Sequence, residues 1–338
     1  MIKDSVIVIT GATSGIGLCT ARMAASRGAR LVLTARNHEM LDSLVKELIG
    51  SGRQAVAISG DVAEPEVLEI VAAEAIRQFG RIDAWINNAG VSIYGRLTDV
   101  PLEEKRRLFD VNFWGIVHGS RAALPYLSRS SGTLVNLGSI ASDRAIPLQG
   151  IYCASKHAIK AYSDCLRMEL EADQVPVQVT LVKPGSVATP YPQHARSHLE
   201  VEPSIPAPLY HPELVAKTIL RCIEKGNVRE IEVGGTTRAL SFLSRMFPRL
   251  TDLVMERAMI RMEKTSAPEE VQPDRRDSLF EEPFTEGTSL GEHKGRVHRR
   301  SAYTWARLHP EISTGALIAG VSGLGAAARF RNRLKKTA

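Results

Sequence analysis

Along residues 6–233, short runs rich in Val, Ile and Leu alternate with segments of helix length, and few folds accept that order. The runs are Val6–Thr10, Arg30–Thr34, Ala55–Ser59, Ala84–Asn87, Gly132–Leu137, Val177–Val182 and Glu230–Val233. Between them lie Gly15–Arg27, His38–Ile49, Glu66–Phe79, Leu102–Leu127, Ile151–Glu171 and Pro212–Glu224, each carrying a helical pattern. Parallel strands joined by crossover helices form right-handed βαβ units, and the resulting sheet is covered on both faces. The expected class is therefore α/β, a doubly wound parallel sheet, with ligands bound outside the carboxyl ends of its strands.

The chain is longer than this unit. Its 338 residues, 44% of them hydrophobic and 24% charged, are enough for one large core or two small ones. The alternation ends near residue 235, which points to a single catalytic domain over 1–262 (core 5–235) with a C-terminal extension. After Pro184 a Pro-rich stretch, with Pro190, Pro192, Pro203, Pro206, Pro208 and Pro212, breaks any regular element and suits a substrate lid. Residues 240–262 read as two amphipathic pieces around Pro248. They suit packing on their own domain or on a second subunit, or contact with a membrane, since basic residues flank the apolar face. Residues 263–311 lose apolar periodicity and gain charge, Pro and Gly, so a disordered linker is expected there. Residues 312–338 form a Gly- and Ala-rich apolar run with a basic end. Ile312–Ala328 is slightly short for a bilayer span, which leaves membrane attachment and a soluble tail both open.

Charge narrows the partners. The formal net charge is +6, but nine Lys or Arg against one Glu from Arg296 onward contribute +8 and leave −2 for everything before. A near-neutral body offers no footprint for a polyanion, so no nucleic-acid partner is expected. The four cysteines, Cys19, Cys153, Cys165 and Cys222, form no CxxC pair and no disulfide framework. They suit reduced thiols in a reducing compartment. Met1 leads directly into the apolar run Val6–Ile9 without a basic n-region, which reads as a strand and not as a signal peptide. A cytoplasmic protein is expected, with membrane association through the C-terminus as the open alternative.

The first strand ends in Thr10-Gly11-Ala12-Thr13-Ser14-Gly15-Ile16-Gly17, where a helix begins. Glycines at such a turn let the backbone approach a pyrophosphate, whose charge the helix N-terminus meets. Asp61-Val62 follows the third strand, Asn87-Asn88-Ala89-Gly90 the fourth and Pro184-Gly185 the sixth, with Val187 and Thr189 just beyond. In the helix that starts near Ile151, Tyr152 and Lys156 stand four residues apart and share a face. Ser139 lies just past the fifth strand. Asn112 lies inside the long helix 102–127, where a polar side chain of this kind calls for a partner.

Together these segments resemble the Tyr-Lys dependent short-chain dehydrogenases/reductases with a TGxxxGxG cofactor motif, over residues 5 to about 235. The resemblance implies a Rossmann-like fold, a catalytic set of Asn112, Ser139, Tyr152 and Lys156, and no metal. It implies a nicotinamide cofactor held by Gly11, Thr13, Ser14, Gly15, Ile16, Gly17, Arg36, Asp61, Val62, Asn88, Ala89, Gly90, Tyr152, Lys156, Pro184, Gly185, Val187 and Thr189, and a homodimer or homotetramer through helices 102–127 and 151–171. NAD-binding members carry a carboxylate at the end of the second strand. Here Ala35 and Arg36 stand there, and a guanidinium suits a 2′-phosphate, so NADP(H) is the expected cofactor. A phenol with a pKa near 10 needs nearby positive charge to work as a base at neutral pH, and Lys156 supplies it. The expected reaction interconverts a carbonyl and an alcohol by hydride transfer on a small molecule, with a non-catalytic NADP-binding sensor or scaffold as the rival reading. Pocket candidates are Ser139, Tyr94, Gln149 and Tyr191, beside Ser92, Ile93, Ala141, Ile146, Leu148 and His194. This mainly apolar set suits an apolar substrate.

Overall fold

The computed structural model describes residues 2–200, 202–260, 276–282, 287–293, 295–309 and 311, with 258 and 259 through their backbone only. Seven parallel strands form one sheet: β1 (Val6–Thr10), β2 (Arg30–Ala35), β3 (Gln54–Ser59), β4 (Ala84–Asn87), β5 (Thr133–Leu137), β6 (Gln178–Pro184) and β7 (Glu230–Val233). Their order is β7-β6-β5-β4-β1-β2-β3. The chain leaves β1 toward one edge and resumes at β4 toward the other. The order thus reverses at β1, and the crevice at that switch point is where doubly wound sheets bind ligands.

Period-two alternation explains the two layers of core. Ile7 and Ile9 of β1, with Leu31 and Leu33 of β2, pack on one face against α1 (Gly15–Ser26), α2 (His38–Gly50) and α8 (Pro212–Lys225). Val6, Val8 and Val32 point the other way, onto α3 (Pro65–Phe79) and α5 (Gly115–Ser130). Each such fully buried aliphatic side chain contributes about 1.5–3 kcal/mol. That is enough to fix a strand's register, since a one-residue slip would turn every one of them to the wrong face.

The helix expected over 102–127 is not continuous. It runs as α4 (Leu102–Phe109), a π-helical turn (Asp110–Trp114) and then α5. The wide turn holds Asn112, whose amide Nδ2 donates to Val91 O at 3.0 Å while its Oδ1 accepts from Val91 N at 2.8 Å. Such turns recur where a side chain must serve a site instead of the helix ladder. The helix expected over 151–171 is α6 (Gly150–Ala172). The Pro-rich stretch contains a short helix, α7 (Tyr191–His194), and a two-residue strand, Arg196–Ser197, paired with Ile93–Tyr94. The two amphipathic pieces are α9 (Gly235–Met246) and α10 (Pro248–Val254), with Pro248 at the helix start where its missing N–H costs nothing. They bury Thr237, Ser241 and Thr251 and leave Phe242, Leu243, Met246, Phe247 and Leu250 exposed.

The extension departs from the expected disordered linker in its described parts. Leu279 is fully buried in the core on the α3 and α5 side of the sheet, and Ser278 is buried beside it. Thr288 O accepts from Gly15 N at 3.0 Å, and Gly291 N donates to Ala188 O at 3.3 Å. Val297–His298 pairs with Leu209–Tyr210, and α11 (Ala302–Leu308) follows, with Thr304 Oγ1 accepting from Gly234 N at 2.9 Å. Composition misleads because most of these ties are backbone hydrogen bonds and one apolar anchor, not a periodic face. Among the described residues no helix is long and apolar enough to cross a membrane, and Ile312–Ala328 lies outside them.

Candidate active site

At the switch point the Gly-rich turn is shaped by contacts that tolerate no side chain. Gly11 has φ +64°, a left-handed conformation, and a Cβ there would lie 2.8 Å from Ala89 Cα. A Cβ on Gly17 would lie 2.0 Å from the Gly11 carbonyl oxygen, so α1 can press against the turn only as glycine. Thr10 ties this turn to the segment after β4. Its hydroxyl accepts from Asn88 N and Ala89 N, both at 3.0 Å, while Asn88 Nδ2 donates to Thr10 O at 2.9 Å and Gly11 O at 3.0 Å. Asn87 serves the sheet instead: it accepts from Trp85 Nε1 at 2.8 Å and donates to Asn136 Oδ1 at 2.9 Å.

These elements border a cleft of about 170 Å³ lined by Gly11, Thr13, Ser14, Gly15, Ile16, Arg36, Asp61, Val62, Asn88, Ala89, Gly90 and Thr189. The positions expected from sequence to hold a cofactor thus converge there. Gly17 does not line the cleft but backs it, and Pro184, Gly185 and Val187 line the neighbouring pocket. Ser14 precedes α1 without a side-chain cap bond; Gly15 N donates to Thr288 O, and the first-turn N–H groups beyond it are left to an outside anion. Asp61 accepts from Ala63 N at 3.0 Å and pairs with the Arg107 guanidinium, a partner that sequence reasoning missed. Arg36 is partly buried, and that burial pulls its guanidinium below its ordinary pKa, with Asp61 pulling the other way.

A second pocket of about 410 Å³ adjoins the first, and both are lined by Ile16, Asn88, Gly90, Thr189 and Tyr191. Tyr152, Lys156 and Ser139 stand in its wall, as do Tyr94, Gln149 and Tyr191. Burial pushes the Tyr152 hydroxyl up to about 12, against hydrogen bonds from Ser139 and Tyr191 that pull it down. Ser139 caps the turn Ile140–Ser142: its Oγ accepts from Ala141 N at 3.1 Å, which leaves the hydroxyl proton to donate. Lys156 Nζ donates to Leu137 O at 2.8 Å and lies 5.6 Å from the centre of the Tyr152 ring. Burial brings its ammonium down to about 8. Asn112 lies beside them, with its Oδ1 3.3 Å and Lys156 Nζ 3.9 Å from where a Cβ on Gly90 would stand. Its amide is fastened to Val91 and to Ser155 Oγ at 3.2 Å, so it joins the helix to the segment after β4.

Tyr191 adds a second phenol. Its ring meets Tyr152 edge-on at 5.6 Å between centroids, and its hydroxyl lies 2.6 Å from Ser92 Oγ. Ile146 lines this pocket as expected, but Ile93, Ala141 and Leu148 are buried behind its wall. His194, grouped with the substrate pocket on sequence grounds, borders the other cleft instead, where burial and then the Arg36 charge lower its pKa to about 4. Ile205, Pro206, Ala207 and Pro208 of the lining belong to the Pro-rich stretch that suits a lid, whereas Thr236, Thr237, Leu240, Val254 and Met255 were not foreseen as lining. The amphipathic pattern of residues 240–262 was the only signal for that second group. Behind the Ser139 turn, Asp143, Glu230 and Glu232 bring carboxylate oxygens within 4.8 Å of one another. The Lys183 ammonium occupies that cluster, 2.5 Å from Asp143 and 2.6 Å from Glu230, with its side chain only 1% exposed.

A parallel sheet in this order, a glycine turn at its switch point and a Ser-Tyr-Lys wall define an oxidoreductase class. A family model for short chain dehydrogenases matches residues 5–200, and the chain belongs to that family. It is 41% identical over 333 residues to an uncharacterized oxidoreductase, YxnA, of Bacillus subtilis, a match covering 98% of this chain and 92% of that protein. Among solved structures, a short chain dehydrogenase/reductase from Burkholderia phymatum in complex with NAD aligns with a TM-score of 0.67 at 26% identity, covering 74% of this chain and 96% of that one. An alcohol dehydrogenase from Thermococcus sibiricus, complexed with 5-hydroxy-NADP, aligns with a TM-score of 0.60 at 27% identity, covering 68% of this chain and 96% of that one.

Proposed function

We propose that the protein is an NADP(H)-dependent oxidoreductase that interconverts a carbonyl and an alcohol on an apolar small molecule, with Tyr152 as the general acid and base. The observation that carries this is the place of the Tyr152 hydroxyl. It faces a mainly apolar pocket, bonded to Ser139 and beside Lys156, where that pocket meets the glycine-lined cleft.

The residues fit a dinucleotide. The cleft offers first-turn N–H groups of α1 and the Arg36 cation, and the glycine turn leaves room where any side chain would intrude. Gly11 to Ile16, Arg36, Asp61, Asn88 to Gly90 and Thr189 would hold the cofactor, whose chemistry is to give or take a hydride. Arg36 carries the choice of NADP(H) over NAD(H): β2 ends in Ala35, so no carboxylate there repels a 2′-phosphate.

In the reducing direction Tyr152 donates its proton to the carbonyl oxygen as charge develops on it, and Ser139 donates a hydrogen bond to the same oxygen. A tyrosine held near 12 stays protonated at neutral pH and is ready as an acid. In the oxidising direction the alcohol's proton passes to Tyr152, and the nearby Lys156 ammonium and the Tyr191 hydrogen bond stabilise the phenolate. Asn112 fixes the segment after β4 against α6, which keeps Gly90 beside Lys156. Ile146, Ile205, Leu240, Val254 and Met255 exclude water and favour an apolar substrate. Trp114, 47% exposed, and Met168, 52% exposed, are in keeping with association through the π-turn and α6 faces. The four free cysteines are in keeping with a reducing, cytoplasmic setting.

Tyr152→Phe keeps the ring and removes the transferable proton. NADPH binding should persist while turnover of ketones and aldehydes falls on the order of 10²–10⁴-fold. Turnover within threefold of the parent protein would rule the mechanism out and leave a binding role, as a sensor or scaffold, for the cleft.

A further inference from the structure

The Arg36 guanidinium does not stand free at the edge of the cleft. Its Nη2 donates to Ser278 O at 2.5 Å and its Nη1 to Leu279 O at 3.4 Å, across 242 and 243 residues of chain. The same Leu279 carbonyl accepts from Arg107 Nε at 3.0 Å, and Arg107 reaches Asp61 with its other nitrogen. One short stretch of the extension thus sets the position of Arg36, which lines the cleft, and of Arg107, which pairs with the cleft-lining Asp61.

The stretch is itself firmly seated. Asp277 accepts from Arg196 at 2.9 Å, Ser278 N and Oγ donate to His194 O at 2.9 and 3.0 Å, and the Leu279 side chain is fully buried. Carbonyl acceptors orient a guanidinium without cancelling its charge. The carboxylates that act on Arg36 are Asp61, Glu282 and Asp277. Asp61 is matched by Arg107 and Asp277 by Arg196, so two of the three are already balanced by other cations. The alignment with the Bacillus subtilis relative runs over 98% of this chain, so that protein shares the extension as well as the core.

We infer that residues 277–279 complete the cofactor site: the Ser278 and Leu279 carbonyls aim Arg36 at a 2′-phosphate while Leu279 O also holds Arg107 against Asp61, and the buried Leu279 anchors that aim, so the extension is a determinant of coenzyme choice. The inference rests on the NADP(H) reading and adds to it. Coenzyme choice then depends on a segment far outside the βαβ core, through backbone atoms that any sequence supplies. The side chain that matters is the anchor.

The test is calorimetric binding of 2′,5′-ADP and AMP, which differ only in the phosphate, to the full chain and to Leu279→Ala and Asp277→Ala. Circular dichroism confirms folding of each, and Asp277→Ala, which cuts the ties to Arg196 and to Leu279 N but leaves the buried anchor in place, serves if the core substitution unfolds the protein. In the parent protein 2′,5′-ADP should bind at least tenfold tighter than AMP. In either variant that ratio should fall at least fivefold, with AMP affinity kept within twofold. A parent protein that binds both nucleotides equally removes the coenzyme reading itself. A parent preference that survives in both variants overturns the inference. So does an equal loss of both nucleotides, which would mark a plain wall, and so does tighter 2′,5′-ADP binding, which would mark an obstruction.

Discussion

Lys183→Met tests how the Ser139 turn is held. The lysine ends an apolar strand with its side chain 1% exposed, and its ammonium is shared by Asp143 at 2.5 Å, Glu230 at 2.6 Å and Glu232 at 3.8 Å. Methionine keeps the length and removes the charge. Three carboxylates whose oxygens lie within 4.8 Å of one another then depend on Lys160 and Arg238, which are more exposed. Breaking a buried ion pair from one side costs about 3–5 kcal/mol. Lys160 still reaches Asp143 and Glu230, so the lower end, about 3 kcal/mol, is expected. At roughly 2–4 °C per kcal/mol this is a fall in Tm of about 6–12 °C at pH 7. The deficit should depend on pH. Burial alone would raise the Asp143 carboxyl, but hydrogen bonds from Lys160 and Lys183 prevail and hold it below the usual carboxylate range. A depressed folded pKa contributes stability above the unfolded value, near 3.9, and loses it as pH falls through the folded one. The gap between parent and variant should therefore be widest near pH 7 and close toward pH 3. Scanning calorimetry at both pH values measures it. A shift below 2 °C at pH 7, or a gap that does not narrow in acid, would refute the electrostatic account. Asp143 directly follows the turn that Ser139 caps, so the variant should also lose turnover more than cofactor affinity.

Two further outcomes follow from the site. Lys156 is brought down to about 8 by burial, so its ammonium is present below that pH and lost above it. In carbonyl reduction, kcat/KM for the coenzyme should fall as pH rises through about 8, and Lys156→Met should be slower with that inflection gone; an unchanged inflection in the variant would assign it elsewhere. Gly17→Ala places a methyl 2.0 Å from Gly11 O, against backbone that cannot yield cheaply. It should cost about 1–3 kcal/mol of stability and weaken AMP binding at least tenfold, so a dissociation constant within twofold of the parent value would show that the turn is not the phosphate cradle.

The strands and the Tyr152–Lys156 pair were legible because their signals are local. Val6–Thr10 announces itself by β-branched composition, and a four-residue spacing on a helix fixes a common face. Apart from the family resemblance, Asn112 was legible as an anomaly, a polar residue where the helix had no use for it, and the π turn is what answers it. Lys183 was not legible, since a lysine ending an apolar strand reads as the point where the strand meets water. Buried here, it is matched by carboxylates contributed from residues 143, 230 and 232. Leu279 was the least legible. One apolar side chain and two carbonyl oxygens leave no periodic trace, and charge-rich surroundings read as a segment unable to build a core of its own. It builds none; it borrows the one already present.

The link between Arg36 and Ser278 also sets a clock. The two residues are separated by 242 positions. At synthesis rates of about 5–20 residues per second, roughly 12–50 s pass between their additions to the growing chain. Strands β1 and β2 and the helix between them have time to condense in that interval, while the guanidinium at the end of β2 still lacks the acceptors it has in the finished fold. The glycine turn and the end of β2 are therefore made early, and the cleft they border is among the last parts of the molecule to be closed.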